Sequence, residues 1–327
     1  MMSNRPFVFQ QRFPFFLNLH QVSNALSDRI FVMFRKNNME KIIEKIYSRP
    51  ARPGMVGDGF RVFNYFPNNG ITQQRVSPFL MMDFNAEYDF GPSDHLRGVD
   101  VHPHKGFETV TIAYKGSVAH HDSTGNSGVI NPGDVQWMTA GSGILHKEYH
   151  EQEFSKKGGP FEMIQLWVNL PAKDKKADPK YQAITASQMG KVQLANNGGT
   201  VNVIAGEFNQ TKGPASTFTP VNMFDIRLNQ GGNLSTELPA KYNTVLLVVS
   251  GLVLVNGATA AEHDLVLFKN EGETINITAN EDSVLLLLSG EPINEPIAQY
   301  GPFVMNTHRE LQEAFAEFQA GKFGVLD

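Results

Sequence analysis

Between residues 41 and 170 the apolar residues fall in short runs, each closed by turn chemistry rather than continued at helical spacing. The runs at 60–66, 107–114, 135–139 and 163–168 predict strands, and Pro67-Asn68-Asn69-Gly70, Ser123-Thr124-Gly125-Asn126 and Asn131-Pro132-Gly133-Asp134 predict the turns between them. A polar stretch follows at 172–180, with charges, a proline and no large apolar residue until Tyr181. It reads as a linker. Strand-length runs then resume at 200–205, 223–228, 245–250, 252–255, 265–268, 274–278 and 284–288. Many short strands and little helix predict an all-β protein of sandwiches or barrels. The halves share a loose layout, since Gly116 and Gly251 each follow an apolar run and Gly-Asp at 133–134 answers Glu-Gly at 271–272. That layout predicts a duplicated barrel.

Only the tail changes period. Thr307-His308-Arg309-Glu310 is a capping box, and Leu311, Phe315 and Phe318 continue at helical spacing. A short C-terminal helix should run to about Gly321 and pack its apolar stripe on the barrels. The expected organisation is an extension at 1–38, a first domain at 39–171 opening with a strand at Met39, a linker at 172–180, and a second domain at 181–327.

Composition narrows the function. A net charge of -5 gives no electrostatic footprint for nucleic acid, so direct DNA or RNA binding is not expected. The absence of cysteine excludes disulfides, thiolate nucleophiles and Cys-ligated metals. No apolar run reaches the ~18 residues that span a bilayer, so no membrane segment is expected. Residues 1–38 stand apart, with Arg5, Arg12, Arg29, Arg35 and Lys36 against the single acid Asp28. An Arg-bearing, acid-poor start can be a targeting segment. It lacks a small-residue cleavage pattern, so the expectation is an extension outside the fold, disordered or not native.

The histidines supply the candidate chemistry. Seven of ten lie between positions 95 and 150, and His263 is the only one between 151 and 307. His102-Pro103-His104 and His146-Lys147-Glu148 each place two metal-binding side chains one residue apart, which on a strand aims both at one face. Facing each other inside a barrel, the two strands would converge His102, His104, His146 and Glu148 on one divalent ion. In an octahedral iron-type site this set leaves two positions open, whereas a tetrahedral zinc would be closed by it. Spacing alone leaves both readings standing. Phe107, Trp137 and Met138 could wall a pocket or fill a core, and His120 could line the site or end a strand. Gly141 and Gly143 are expected to permit a tight approach to His146.

The runs His102-Pro103-His104-Lys105-Gly106-Phe107-Glu108-Thr109-Val110, Asn131 through Gly141, Gly143-Ile144-Leu145-His146, Gln165 through Leu170 and Gly301 through Thr307 resemble the pirin family of the cupin superfamily. The resemblance covers residues 41–327. It implies two cupin, jelly-roll-like β-barrels, the first holding one metal, usually iron(II), with zinc, manganese, nickel or copper as alternatives, and the second holding none. The wider cupin pattern would use Glu108 as the carboxylate ligand, whereas the pirin pattern uses Glu148. The resemblance further implies a quercetin 2,3-dioxygenase-like activity on a flavonol, with Glu148 as the base. Its alternative is a non-enzymatic metal or redox sensor acting on a protein partner, as a transcription cofactor or metabolic-enzyme modulator. Two barrels in one chain cover faces that single-barrel cupins bury by dimerising, so a monomer is expected, in the cytoplasm and, in a eukaryote, also the nucleus.

Overall fold

The computed structural model describes residues 39–68 and 70–327, so the reading of 1–38 as an extension lies outside the described residues. Two antiparallel barrels each pair a seven-stranded sheet with a four-stranded one. In the first, Phe107–Lys115, Gly159–Asn169 and Phe79–Phe90 are central strands of the large sheet. Gly98–His104, Ile144–His150, Val118–Asp122 and Ser127–Ile130 form the small sheet opposite. The second barrel repeats this seven-plus-four layout, as the duplicated pattern predicts. The C-terminal helix His308–Gln319 begins at the predicted capping box, with Thr307 Oγ1 accepting from the Glu310 amide and Glu310 Oε2 accepting from the Thr307 amide at 2.8 Å. No helix among the described residues is long and apolar enough to cross a membrane.

Strand alternation divides the large sheets into two chemistries. Val110 and Ile112, Val135 and Trp137, and Ile164, Leu166 and Val168 face out of the first barrel. They pack against Met223, Val245, Leu247, Leu265, Leu267, Leu286 and Leu288 on the second barrel's outer face. This apolar seam joins the two halves. The second barrel's interior is also apolar, built from Val203, Phe224, Ile226, Leu246, Val253, Ile275, Leu285 and Leu287. The first barrel's interior differs, because the side chains alternating with its seam residues include Thr109, Thr111, Gln136, Gln165, Asp83 and Asn85.

Two segments depart from the expected boundaries. The first described strand, Ile43–Tyr47, does not join the first barrel; it pairs antiparallel with Leu265–Phe268 at the edge of the second barrel's large sheet. Reciprocally, Lys180–Ile184 pairs with Val135–Thr139 at the edge of the first barrel's large sheet. Each half thus covers one exposed edge of the other, which removes a row of unpaired backbone groups. The polar run between the halves is also more than a solvated linker. Lys175 within it is buried, and its Nζ donates to Gly106 O at 2.8 Å, Asn169 Oδ1 at 2.7 Å and Val304 O at 3.0 Å. Burial lowers its pKa to about 7, and the three acceptors compensate the ammonium.

Glu108 belongs to the seam side of its strand. Gly106, at φ 86°, reverses the chain between Gly98–His104 and Phe107–Lys115, and a Cβ there would meet the Val304 carbonyl oxygen at 2.0 Å. After that reversal Glu108 alternates with Thr109 and Thr111 and points away from the barrel interior, where Thr139 Oγ1 donates to its Oε1 at 2.7 Å. Burial pushes its pKa up from 4.5 to about 7, against the Thr139 bond. The folded state therefore holds this proton more tightly than the unfolded chain does. The stabilisation is complete below pH 4.5 and is lost as pH rises through about 7. Glu108→Gln keeps the acceptor without the charge. It is expected to shrink the stability difference between pH 5 and pH 8 by on the order of 2 kcal/mol, read from urea midpoints. An undiminished difference would show that this carboxyl is not its source.

Candidate metal centre

Three imidazoles meet inside the first barrel. His102 and His104 come from Gly98–His104, and His146 comes from the paired strand Ile144–His150, directly opposite His102 in register. One donor atom from each lies within 4.8 Å of the others, and the ring centroids are 4.2 to 4.8 Å apart. Burial first, then repulsion from the neighbouring imidazoles, holds His104 and His146 well below the usual histidine range. His102 is lowered mainly by burial, with the Asp100 carbonyl opposing. All three are therefore neutral near pH 7, the form that binds metal.

The hydrogen bonds test whether a cation fits. His146 is fully buried, yet neither ring nitrogen has a hydrogen-bond partner. Leaving such a group unsatisfied costs roughly 1–3 kcal/mol, and a cation taking the free lone pair removes that penalty. His102 is prepared for the same role. Its Nδ1 lies 2.8 Å from Asp100 O, which can only accept, so Nδ1 carries the proton and Nε2 presents its lone pair. The Asp100 carbonyl lies in a register break between the pairs His146–His102 and Glu148–Val99, a bulge that re-aims the backbone beside the site.

Glu148 shares this wall without belonging to the group of three. It lies two residues beyond His146 on the same strand and, with His102 and His104, lines one cavity. Its Oε1 is 3.3 Å from Thr111 Oγ1, but the single Thr111 hydrogen is drawn to Gln165 Oε1 at 2.6 Å. Burial, little offset by that long contact, pushes its pKa up to about 7. A divalent cation alongside would reverse the shift.

The cavity holds about 330 Å3. Besides the three site residues, its wall is largely apolar, with Val56, Phe60, Val62, Met81, Val99, Met163 and Trp167 among Asp83, Asn85 and Gln165. Its volume and lining are those of a small-molecule site. None of the wall residues anticipated from sequence takes part. Phe107 packs behind the wall against Trp167 and His104, with centroids 4.2 and 5.0 Å away. Trp137 belongs to the seam, and Met138 packs with Ala140, Ile144 and Tyr181. His120 is fully buried, paired in register with Glu148 and 2.7 Å from the Tyr181 hydroxyl, so it is not a solvent-facing strand end. Gly143, at φ 125°, makes room for Phe323, whose ring would lie 2.2 Å from a Cβ there, and Gly141 for the Ala177 carbonyl. Both admit packing segments behind the site rather than His146. The polar wall residues that sequence reasoning missed had one visible signal: Asp83 and Asn85 alternate with Met82, Phe84 and Ala86.

Comparison with known proteins agrees with this architecture. The pirin family model matches residues 59–168, and the pirin C-terminal cupin domain model matches 223–324. A Pseudomonas aeruginosa protein bearing the name "Putative quercetin 2,3-dioxygenase" is 46% identical over 285 residues, 87% of this chain and 99% of its own length. The crystal structure of a quercetin 2,3-dioxygenase from Acinetobacter baumannii superposes with a TM-score of 0.84 at 45% identity, covering 88% of this chain and 100% of that one. A bacterial pirin from Escherichia coli in complex with nickel(II) shares the fold at 22% identity and a TM-score of 0.57, over 76% of this chain and 99% of that one. With both family models matched and relatives of this identity spanning nearly nine-tenths of its length, the chain belongs to the pirin family of cupin proteins.

Proposed function

We propose that the chain is a metal-dependent dioxygenase that opens the heterocycle of a flavonol such as quercetin with O2. In this reading His102, His104, His146 and Glu148 hold one divalent ion, iron(II) in first place. The observation that carries it is the shared wall: two of the imidazoles and Glu148 line an apolar cavity large enough for a small aromatic molecule. Such a chamber favours an enzyme over a sensor, which would need only a closed metal site beneath a surface patch. The names of the Pseudomonas and Acinetobacter relatives support the same reaction class.

When bound, the ion would supply Lewis acidity toward the substrate's hydroxyl oxygen and an electron source for O2 chemistry. The protein's own residues do the rest. Phe60, Val62, Met163 and Trp167 exclude water around a flat aromatic substrate. Glu148 is the base that takes the flavonol hydroxyl proton onto a carboxylate oxygen, and a divalent ion alongside would hold that carboxyl ionised and ready to accept. Thr111 and Gln165 hold each other and so fix the floor beneath that carboxylate. Loss of the proton makes the substrate electron-rich, and ring opening incorporates both oxygen atoms and releases one carbon as carbon monoxide.

Two outcomes are expected. His146→Ala should retain the fold by circular dichroism yet lose at least nine-tenths of its metal by elemental analysis, because the buried nitrogens at the centre are gone; full metal retention would remove His146 from the set. Metal-loaded wild-type protein should consume O2 and release carbon monoxide with quercetin, and Glu148→Gln should lower kcat by roughly 10^2-fold or more. A fully metallated sample that does neither would turn the reading toward the regulatory alternative.

A further inference from the structure

The cavity wall carries a polar group that no step above employs. Met81, Asp83 and Asn85 lie directly opposite Trp167, Gln165 and Met163 in an unbroken register, forming three successive rows along the large sheet. The Met81–Trp167 row is the metal end, since the Trp167 ring lies 5.4 Å from that of His104. Two rows at the strand rise of about 3.3 Å per residue put Asn85 about 13 Å from that end. Of the three polar side chains on this wall, Asp83 accepts from Asn64 Nδ2 at 2.8 Å and Gln165 accepts from Thr111 at 2.6 Å. Asn85 differs. It is 1% exposed, it lines the cavity, and neither its amide nitrogen nor its amide oxygen has a partner.

A buried carboxamide with both ends free is unfavourable in the empty protein. Leucine, of similar shape, would suit the neighbouring Met163 and Val62 better. A side chain kept at such a disadvantage on a rigid strand points to a ligand that satisfies it. We propose that Asn85 is the specificity-determining residue of the cavity. It reads a hydroxyl group at the far end of an elongated planar aromatic substrate, its Nδ2 donating a hydrogen bond to the hydroxyl oxygen or its Oδ1 accepting one from the hydroxyl. The inference rests on the reading of the cavity as a flavonol site and adds which substrates it selects: those hydroxylated on the ring remote from the metal-binding oxygens. A site built to bond a hydroxyl discriminates strongly against the analogue lacking it, because the protein's polar group is then stranded.

The test uses binding without turnover, so that it does not depend on catalysis. Metal-loaded protein is titrated anaerobically with quercetin and with galangin, followed by quenching of the tryptophan fluorescence. The two compounds share the hydroxy-keto edge and the fused-ring hydroxyls and differ only in the hydroxyls of the remote, pendant ring. Wild type is expected to bind quercetin about 30-fold more tightly. Asn85→Leu should narrow that ratio to about 3-fold or less, with unchanged metal content, undiminished affinity for galangin and a Tm equal to or above wild type. Asn85→Asp, which keeps an acceptor, should retain a preference for quercetin. Equal binding of the two compounds by wild type, or an undiminished preference in Asn85→Leu, overturns this inference and leaves the flavonol reading in place. Binding of neither compound overturns both.

Discussion

The back-to-back packing of the two large sheets is the interaction on which everything else in this molecule rests. An isolated small barrel has only its interior in which to bury apolar surface, and a barrel interior full of histidine, glutamate, glutamine and asparagine would be hard to stabilise. Here Val110, Ile112, Trp137, Ile164 and Leu166 find their burial outside the first barrel, against Val245, Leu247, Leu265 and Leu286 of the second. The second barrel fills its own interior with aliphatic side chains and acts as a scaffold. The first barrel is thereby free to hold a polar chamber. The exchange of edge strands, Ile43–Tyr47 in one direction and Lys180–Ile184 in the other, locks the seam by backbone hydrogen bonds as well as by area.

The same arrangement explains why the C-terminal segment sits where it does. The small sheet that carries the three histidines has no second barrel behind it. Leu311, Ala314 and Phe315 of the C-terminal helix, with Phe303 and Phe323, cluster around Leu145, the residue before His146. Lys105, next to His104, forms an ion pair of 3.0 Å with Glu317 on that helix. Lys175 ties the turn at Gly106 to the strand holding Val304. The strands that carry the three histidines are thus fixed from outside, and groups fixed by their surroundings can keep lone pairs free for a cation.

Much of this was legible in the sequence, for identifiable reasons. Short apolar runs closed by turn residues locate the strands at 60–66, 135–139 and 265–268 to the residue, and Thr307 with Glu310 locates the helix start. The paired spacing of His102 with His104 brought both into the cluster with His146, because alternation on a strand is a local rule. What escaped was whatever depends on partners far away in the chain. Strand pairing across the halves has no local signature, so Ile43–Tyr47 was assigned to the nearer barrel. Lys175 reads as a solvated charge because nothing nearby in sequence announces its three acceptors. Asp83 and Asn85 receive no role from the sequence because polar residues seldom face the inside of a buried strand, and here they do so to line a cavity.

The choice between Glu108 and Glu148 turns on the same distinction between local and distant structure. Glu108 stands four residues after His104, and on one continuous strand it would share that face. Gly106 removes the premise: at φ 86° the chain reverses, and the count of alternation restarts at Phe107. From that new origin Glu108 takes the seam face with Val110, and Thr111 takes the interior face toward Glu148. A side chain at 106 would collide with the Val304 carbonyl, so the reversal is held by a residue nearly two hundred positions away. Both carboxyls are buried and both are pushed to about pH 7 by that burial, so proton affinity alone cannot tell them apart. Direction does. Of the two glutamates, only Glu148 looks into the chamber that His102 and His104 line, and this supports its place in the proposed ligand set.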